Sequence, residues 1–261
     1  MSNSSLVSVK VPAYSGNYTK GRSAKISEIT IHHMAGVLTA KRCGELFQAV
    51  GRNGSSHYGI GNDGEIGLYV DEANTAWANS NWDSNCRAVT IETSNSETKT
   101  WKVSDKALAS LIKLVADIAK RNGLGKLVKG KNLTWHRMYS ATTCPGDYLI
   151  SKMDYIAEQA NKINYPEKVV SVNGLISGFN RGRGKNELIV YTNSGTKTGT
   201  NKWGYEVAVD KNGIAQNAPT YGTCNLTVPT GGYVLSGHEE AGYWLYKHIK
   251  KGTKVSLGVK I

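Results

Sequence analysis

Apolar and polar positions alternate along several short runs of the chain. "ISEITIHH" (26–33), "GLYV" (67–70), "RAVTIET" (87–93) and "NLTWH" (132–136) favour β structure, and several of them end in polar or titratable residues. Between the last two, Leu108, Leu111, Ile112, Val115, Ile118 and Ala119 follow the helical period, with Ser104 placed to cap the helix and Gly123 to stop it. A second helix is expected over 148–163, where Leu149, Met153, Ile156, Ala160 and Ile163 share a face, and a shorter one after Thr39. Strands alternating with helices predict an α/β domain ending near residue 165.

Beyond "NYPEK" (164–168) the texture changes to Gly, Thr, Tyr and Asn. Runs such as "ELIVYT" and "WGYEVAVD" are separated by the turn-rich segments "NSGTKTGTN", "DKNG" and "PTGG". The expected organisation is therefore two domains, 1–165 and 168–261, the second small and β-rich. The absence of a self-similar period argues against a repeat array.

Composition narrows the function classes. The 261 residues are 39% hydrophobic and 20% charged, which suits a folded protein that needs no staples. Thirty-two basic and twenty acidic residues give a net charge of +12, and the excess is shared: 20 − 14 = +6 in residues 1–165 and 12 − 6 = +6 in the remainder. Charge spread in this way argues against a nucleic-acid-binding tail. It favours a general attraction to a polyanion, whether nucleic acid, membrane surface or anionic cell wall. The opening "MSNSSLVSVKVPAYSG" lacks the apolar stretch of a signal peptide, and no run is long enough to span a bilayer, so the chain is expected to be made in the cytoplasm. Cys43, Cys86, Cys144 and Cys224 are too scattered for a disulfide framework, which leaves a thiolate available for metal.

The most distinctive chemistry lies in "TWHRMYSATTCPG" (134–146). On a helix His136 and Cys144 would be separated by roughly 12 Å, whereas two ligands of one zinc lie about 4 Å apart. A shared site therefore requires a folded-back loop. Ser140, Thr142 and Thr143 are poor helix-interior residues, and Pro145 pushes Cys144 out of the α region. In α/β sheets chemistry gathers at the carboxyl ends of strands, and there stand His32 or His33 after "ITI", Glu92 after "AVTI" and His136 after "LTW". Two imidazoles and a thiolate suit Zn²⁺ and leave a fourth position open for water, with a nearby non-ligating glutamate to carry its proton. Alternation along a strand sends His32 and His33 to opposite faces, and the pattern alone does not choose between them.

Residues 20–163 resemble the type 2 N-acetylmuramoyl-L-alanine amidases, the zinc amidase fold of phage endolysins and peptidoglycan recognition proteins. The resemblance is carried by "ITIHHMAG" (29–36), "SSHYGIGNDGEIGLYV" (55–70), "NTAWANSN" (74–81), "RAVTIETSN" (87–95) and "HRMYSATTCPGDYL" (136–149). It implies an α/β fold with a mixed central sheet flanked by helices. It also implies zinc held by His32, His136 and Cys144, with Glu92 activating water. Thr142 falls where some members carry a lysine and others a threonine to stabilise the oxyanion. Ser56 occupies the slot where some members place a catalytic tyrosine, and Tyr58 follows two positions on, on the same face if the strand is regular. The resemblance places His57 and Trp77 along the substrate groove, and Tyr58 is taken with them, although Ala78 stands where many relatives have a second histidine.

The activity implied is hydrolysis of the amide between the lactyl group of N-acetylmuramic acid and L-alanine of the stem peptide. An appended β domain without a signal peptide fits an endolysin that accumulates in the host cytoplasm and reaches the wall after membrane permeabilisation. The second domain would then bind the wall. Positive charge would favour the phosphate polymers of a Gram-positive wall, acting over about 8 Å at physiological salt. The alternatives are a peptidoglycan-recognition module without catalysis, a zinc endopeptidase cutting elsewhere in the stem, and a nucleic-acid protein, the last disfavoured by diffuse charge.

Overall fold

The computed structural model describes residues 2–165, 169–171, 188–192, 197–201, 204–221, 224–237 and 239–256. The chain forms two compact units, Met1–Pro166 and Glu167–Ile261. Residues 166–168 of "NYPEK" lie outside the described residues, as do parts of the segment expected to form the second domain.

The first unit contains strands β1 (Val9–Lys10), β2 (Tyr18–Thr19), β3 (Glu28–His33), β4 (Tyr58–Ile60), β5 (Ile66–Leu68), β6 (Thr75–Ala76), β7 (Ala88–Thr93) and β8 (Leu133–Trp135). Its helices are α1 (Ala40–Leu46), α2 (Trp82–Arg87), α3 (Asp105–Arg121) and α4 (Asp147–Asn164). Six strands form one sheet in the order β1-β5-β4-β7-β3-β8, while β2 and β6 pair separately. The β4–β5 pair is antiparallel and the other pairs of the large sheet are parallel, so the sheet is mixed.

Side-chain alternation gives this sheet two chemically different faces. Ile29 and Ile31 of β3, Val89 and Ile91 of β7 and Leu133 of β8 join Leu111, Leu114, Val115 and Ile118 of α3 and Met153 and Ile156 of α4 in one buried core. The intervening residues, Glu28, Thr30 and His32, Thr90 and Glu92, and Thr134, make the other face polar.

The expected helix signals operate as local chemistry. Thr39 Oγ1 accepts from the Arg42 amide at 3.0 Å, Ser104 Oγ from the Ala107 amide at 3.1 Å, and Gly123 takes a positive φ of 64° just past the end of α3. Helix α2 is too short to show a period. Its start is set by Asn81, whose side chain accepts from the Ser84 amide at 3.0 Å.

The second unit contains β9 (Val169–Ser171), β10 (Leu188–Thr192), β11 (Lys197–Asn201), β12 (Tyr205–Val209), β13 (Thr220–Tyr221), β14 (Cys224–Val228), β15 (Tyr233–Gly237), α5 (Glu239–His248) and β16 (Lys254–Ser256). An antiparallel sheet runs β10-β15-β12-β13; β11 pairs with β14, and β9 pairs in parallel with β16. Val207, Val209, Ala215, Leu235, Leu245, Ile249 and Val255 form its buried core. The β-rich texture is realised, with α5 added to it. Ala241 and Leu245 of α5 and Ile249 just past its end, spaced at i, i+4 and i+8, are buried and form its inward stripe.

Leu111 is fully buried at the centre of α3. Leu111→Ala should cost about 2–5 kcal/mol in chemical denaturation, leaving the opposite, polar face of the sheet unaltered; a loss under about 1 kcal/mol would contradict its central place in the core.

Candidate active site

The site lies where the polar face of the sheet reaches the carboxyl ends of β3, β7 and β8. In the parallel register of β3 and β7, His32 stands beside Glu92 and His33 beside Thr93. His32 therefore shares a face with Glu92, and its Nδ1 lies 4.0 Å from Glu92 Oε1. His33 is sent the other way, where its ring meets Trp101 edge-on with centroids 5.0 Å apart. Gly59 on β4 occupies the position beside Glu92 on the other flank. A Cβ there would collide with Tyr69, whose hydroxyl donates to the Ala40 carbonyl at 2.6 Å and anchors the start of α1.

His136 follows β8 in a single 3₁₀ turn, His136–Met138. The chain from His136 to Cys144 is folded back. The Arg137 amide donates to the Cys144 carbonyl at 3.1 Å, and the Arg137 guanidinium donates to the Thr143 carbonyl at 2.8 Å and to Asp147 at 3.0 Å. The Cys144–Pro145 peptide is cis. Closure of this loop brings one donor atom from each of His32, His136 and Cys144 within 4.8 Å of one another. Cys144 Sγ is 3.6 Å from His32 Nδ1, and the two imidazole centroids are 4.6 Å apart. Thr142 Oγ1 accepts from the Cys144 amide at 3.2 Å and keeps its own proton to donate.

Burial sets the charge of these groups. It pushes His32 down to about 3, with His136 adding to the effect, and lowers His136 as well, with His33 adding to the effect, so both imidazoles are neutral. The Cys144 thiol is pushed up by burial and by the nearby Glu92 carboxyl. Burial likewise raises Glu92 to about 8, an effect that Arg52 partly offsets. The His136 Nε2 and Glu92 Oε2 atoms are buried without a hydrogen-bond partner in the protein. A partly buried cluster of neutral donors, with one imidazole nitrogen unsatisfied, has the chemistry of a cation site. The set of two His and one Cys fits zinc.

The expected groove residues take different places. His57 is fully buried: its Nε2 lies 2.7 Å from an Arg22 guanidinium nitrogen and its Nδ1 lies 3.0 Å from Thr90 Oγ1. Tyr58 is fully buried on the helix-covered face, and its hydroxyl donates to Glu72 Oε1 at 2.6 Å. Neither side chain can line a groove. Nor does Tyr58 share a strand face with Ser56, because β4 begins only at Tyr58, while Ser56 Oγ reaches Thr90 at 3.1 Å. Trp77 is half-buried and donates through Nε1 to Thr19 at 2.9 Å. A residue that sequence reasoning missed is Asn79, fully buried with Oδ1 at 2.8 Å from His32 Nε2. Its only sequence signal is its place in "NTAWANSN".

Fold and site together define an α/β protein of the hydrolase type, with metal-ligand donors and a carboxyl grouped at its strand ends. The family model described as N-acetylmuramoyl-L-alanine amidase matches residues 22–147, so this part of the chain is similar to that family. The match supports a peptidoglycan amidase. Among solved structures, the PlyG catalytic domain matches with a TM-score of 0.51 at 15% identity, over 60% of this chain and 94% of that one. PlyL matches at 0.49 and 17%, over 58% and 95%, and a mutant endolysin from Bacillus subtilis at 0.48 and 20%, over 58% and 97%. No curated protein matches the chain in sequence.

Glu72 is buried, and it accepts from Tyr58, Arg121 and Asn122. Tyr58→Phe removes one donor from this cluster and should cost about 1–3 kcal/mol in urea unfolding, with wall hydrolysis by the folded variant unchanged. A large loss of turnover at unchanged stability would instead return Tyr58 to the groove.

Proposed function

We propose that this amidase is a zinc-dependent endolysin that cuts the bond between N-acetylmuramic acid and L-alanine, with His32, His136 and Cys144 as its metal ligands. The observation that carries the reading is the convergence of one donor atom from each of these three residues within 4.8 Å, at a site where His136 Nε2 has no partner in the protein. Zinc in such a site supplies a Lewis acid and a bound water of lowered pKa at a fourth position.

The protein's own groups do the rest. Glu92 lies beside the triangle, not within it, and its Oε2 is uncommitted. Its role is to take the proton of the attacking water and pass it to the departing L-alanine nitrogen. A cation beside Glu92 would lower its pKa from about 8 towards neutrality, where an acid/base group works best. The Thr142 hydroxyl offers a neutral hydrogen bond to the developing oxyanion, a weaker aid than a lysine ammonium.

Residues 167–261 are proposed to hold the enzyme on the wall. Tyr221, Tyr243 and Tyr246 are exposed there, and Lys247 Nζ lies 5.3 Å from the centroid of the Tyr243 ring. Exposed aromatics can pack on sugar rings, and the positive charge of the chain suits anionic wall polymers of Gram-positive type. We further propose that the enzyme accumulates in the host cytoplasm and acts once the membrane is permeabilised.

Cys144→Ala should abolish stoichiometric zinc, measured by elemental analysis, together with wall lysis; a variant that retains both would remove Cys144 from the ligand set. Glu92→Gln should keep the metal and lose on the order of 10²- to 10⁴-fold in rate. Mass spectrometry of digested peptidoglycan should show stem peptides with a free L-alanine amino group, and their release should stop with chelator. Cleavage inside the stem would turn the reading to an endopeptidase.

A further inference from the structure

The polar face below the site is a hydrogen-bond network whose protons can be counted. Asn79 sits in its middle. The Asn79 Nδ2 group donates to Ser84 Oγ at 2.6 Å and to Thr30 Oγ1 at 3.2 Å, while Oδ1 faces His32 Nε2 at 2.8 Å. An amide turned the other way round has nearly the same shape, so its orientation must be argued from the neighbours.

Two independent chains decide it. Ser84 has a single hydroxyl proton and donates it to Glu28 Oε1 at 2.8 Å; Glu28 also forms an ion pair with Arg87 at 3.3 Å. Ser84 Oγ can then only accept from Asn79. Along the second chain, Thr134 donates to the Ile29 carbonyl at 3.1 Å and lies 3.0 Å from Thr30 Oγ1. A carbonyl has no proton to give, so Thr134 accepts from Thr30, and Thr30 in turn accepts from Asn79. Both hydrogens of the amide are thereby committed, and the atom left facing His32 is an acceptor.

We propose that Asn79 is a positioning residue that holds His32 in the Nε2-protonated tautomer, leaving the Nδ1 lone pair directed towards Cys144 and the metal. The meaning of this for catalysis rests on the zinc reading above; the tautomer itself does not. The backbone supports the arrangement. Ser80 adopts a positive φ of 51°, and Asn81 caps α2, which carries Ser84. One turn thus presents Asn79 inward and aligns its partner on the following helix. The Asn79 backbone N–H donates to Asn85 Oδ1 at 2.8 Å. Outer partners of this kind, which orient a ligating imidazole, typically contribute 10- to 100-fold in metal affinity.

The test uses the full-length chain labelled with ¹⁵N. Long-range ¹H–¹⁵N correlation spectra of the metal-free protein should show His32 protonated at Nε2. Asn79→Ala should convert it to a mixture of tautomers and weaken zinc by about 10- to 100-fold in chelator competition. Ser84→Ala should act in the same direction with a smaller shift. Asn79→Asp retains the acceptor and should restore the wild-type tautomer, separating orientation from packing. A wild-type His32 protonated at Nδ1 overturns the proposal without any variant. So does an Asn79→Ala protein with unchanged tautomer and unchanged zinc affinity, an outcome that leaves the zinc reading standing. If the tautomer responds as expected while no variant and no wild-type protein binds zinc, Asn79 keeps its positioning role and the metal reading fails.

Discussion

The constraint on which the site depends is the parallel register of β3 against β7. Because His32 is paired with Glu92 and not with Thr93, an imidazole and a carboxyl project from the same face at neighbouring heights. A slip of one residue would send one of them to the face packed by α3 and α4. That slip is resisted by apolar burial: Ile29, Ile31, Val89 and Ile91 are all inaccessible to solvent, and the wrong register would expose or misplace them together. Hydrophobic packing on one side of the sheet thus fixes chemistry on the other.

The polar face is costly unless its hydrogen bonds are made, and away from the strand ends they are. Thr30, Thr134, Asn79, Ser84 and Glu28 are buried and mutually bonded. Satisfaction fails at the edge of the network. Among the described residues the unpartnered buried atoms are His33 Nδ1, Asn62 Oδ1, Glu92 Oε2, Thr93 Oγ1 and His136 Nε2, and all but Asn62 lie at the carboxyl ends of β3 and β7 or just after β8. A rigid, satisfied floor beneath a rim of unsatisfied atoms is the distribution expected where a protein holds groups ready for something it does not itself contain.

Much of the first unit was legible in the sequence because its signals are local. Alternation in "ITIHH" and "AVTIET", the helical period of 108–119 and the caps Thr39 and Ser104 each need only their near neighbours. The choice between His32 and His33 was not settled by the pattern: it follows from which face the helices cover, which puts Ile29 and Ile31 in the core and leaves His32 with Thr30 on the polar face. What could not be read were long-range partners. Burial of His57 by Arg22, of Tyr58 by Glu72 and of His32 against Asn79 joins residues 35, 14 and 47 positions apart. Family position placed His57 in the groove and Tyr58 was taken with it, whereas their hydrogen bonds make them supports of the fold. In the second unit, the apolar stripe of α5 rests on Ala241, Leu245 and the following Ile249 amid glycine and tyrosine, too short a repeat to stand out from turn-rich neighbours.

The electrostatics of the site follow from the same burial. In the protein alone, His32, His136, Cys144 and Glu92 are each driven towards the uncharged form, since a charge there would lose its hydration without gaining a counter-ion. Such a site cannot hold a thiolate and a carboxylate by itself. Bound beside them, a divalent cation would favour the ionised forms of both the Cys144 thiol and the Glu92 carboxyl. The imidazoles contribute no charge to this exchange and need only present the correct nitrogen. Orientation of His32 is therefore a separate problem from charge, and the protein meets it with a neutral amide, which directs a proton without adding a further buried anion beside Glu92.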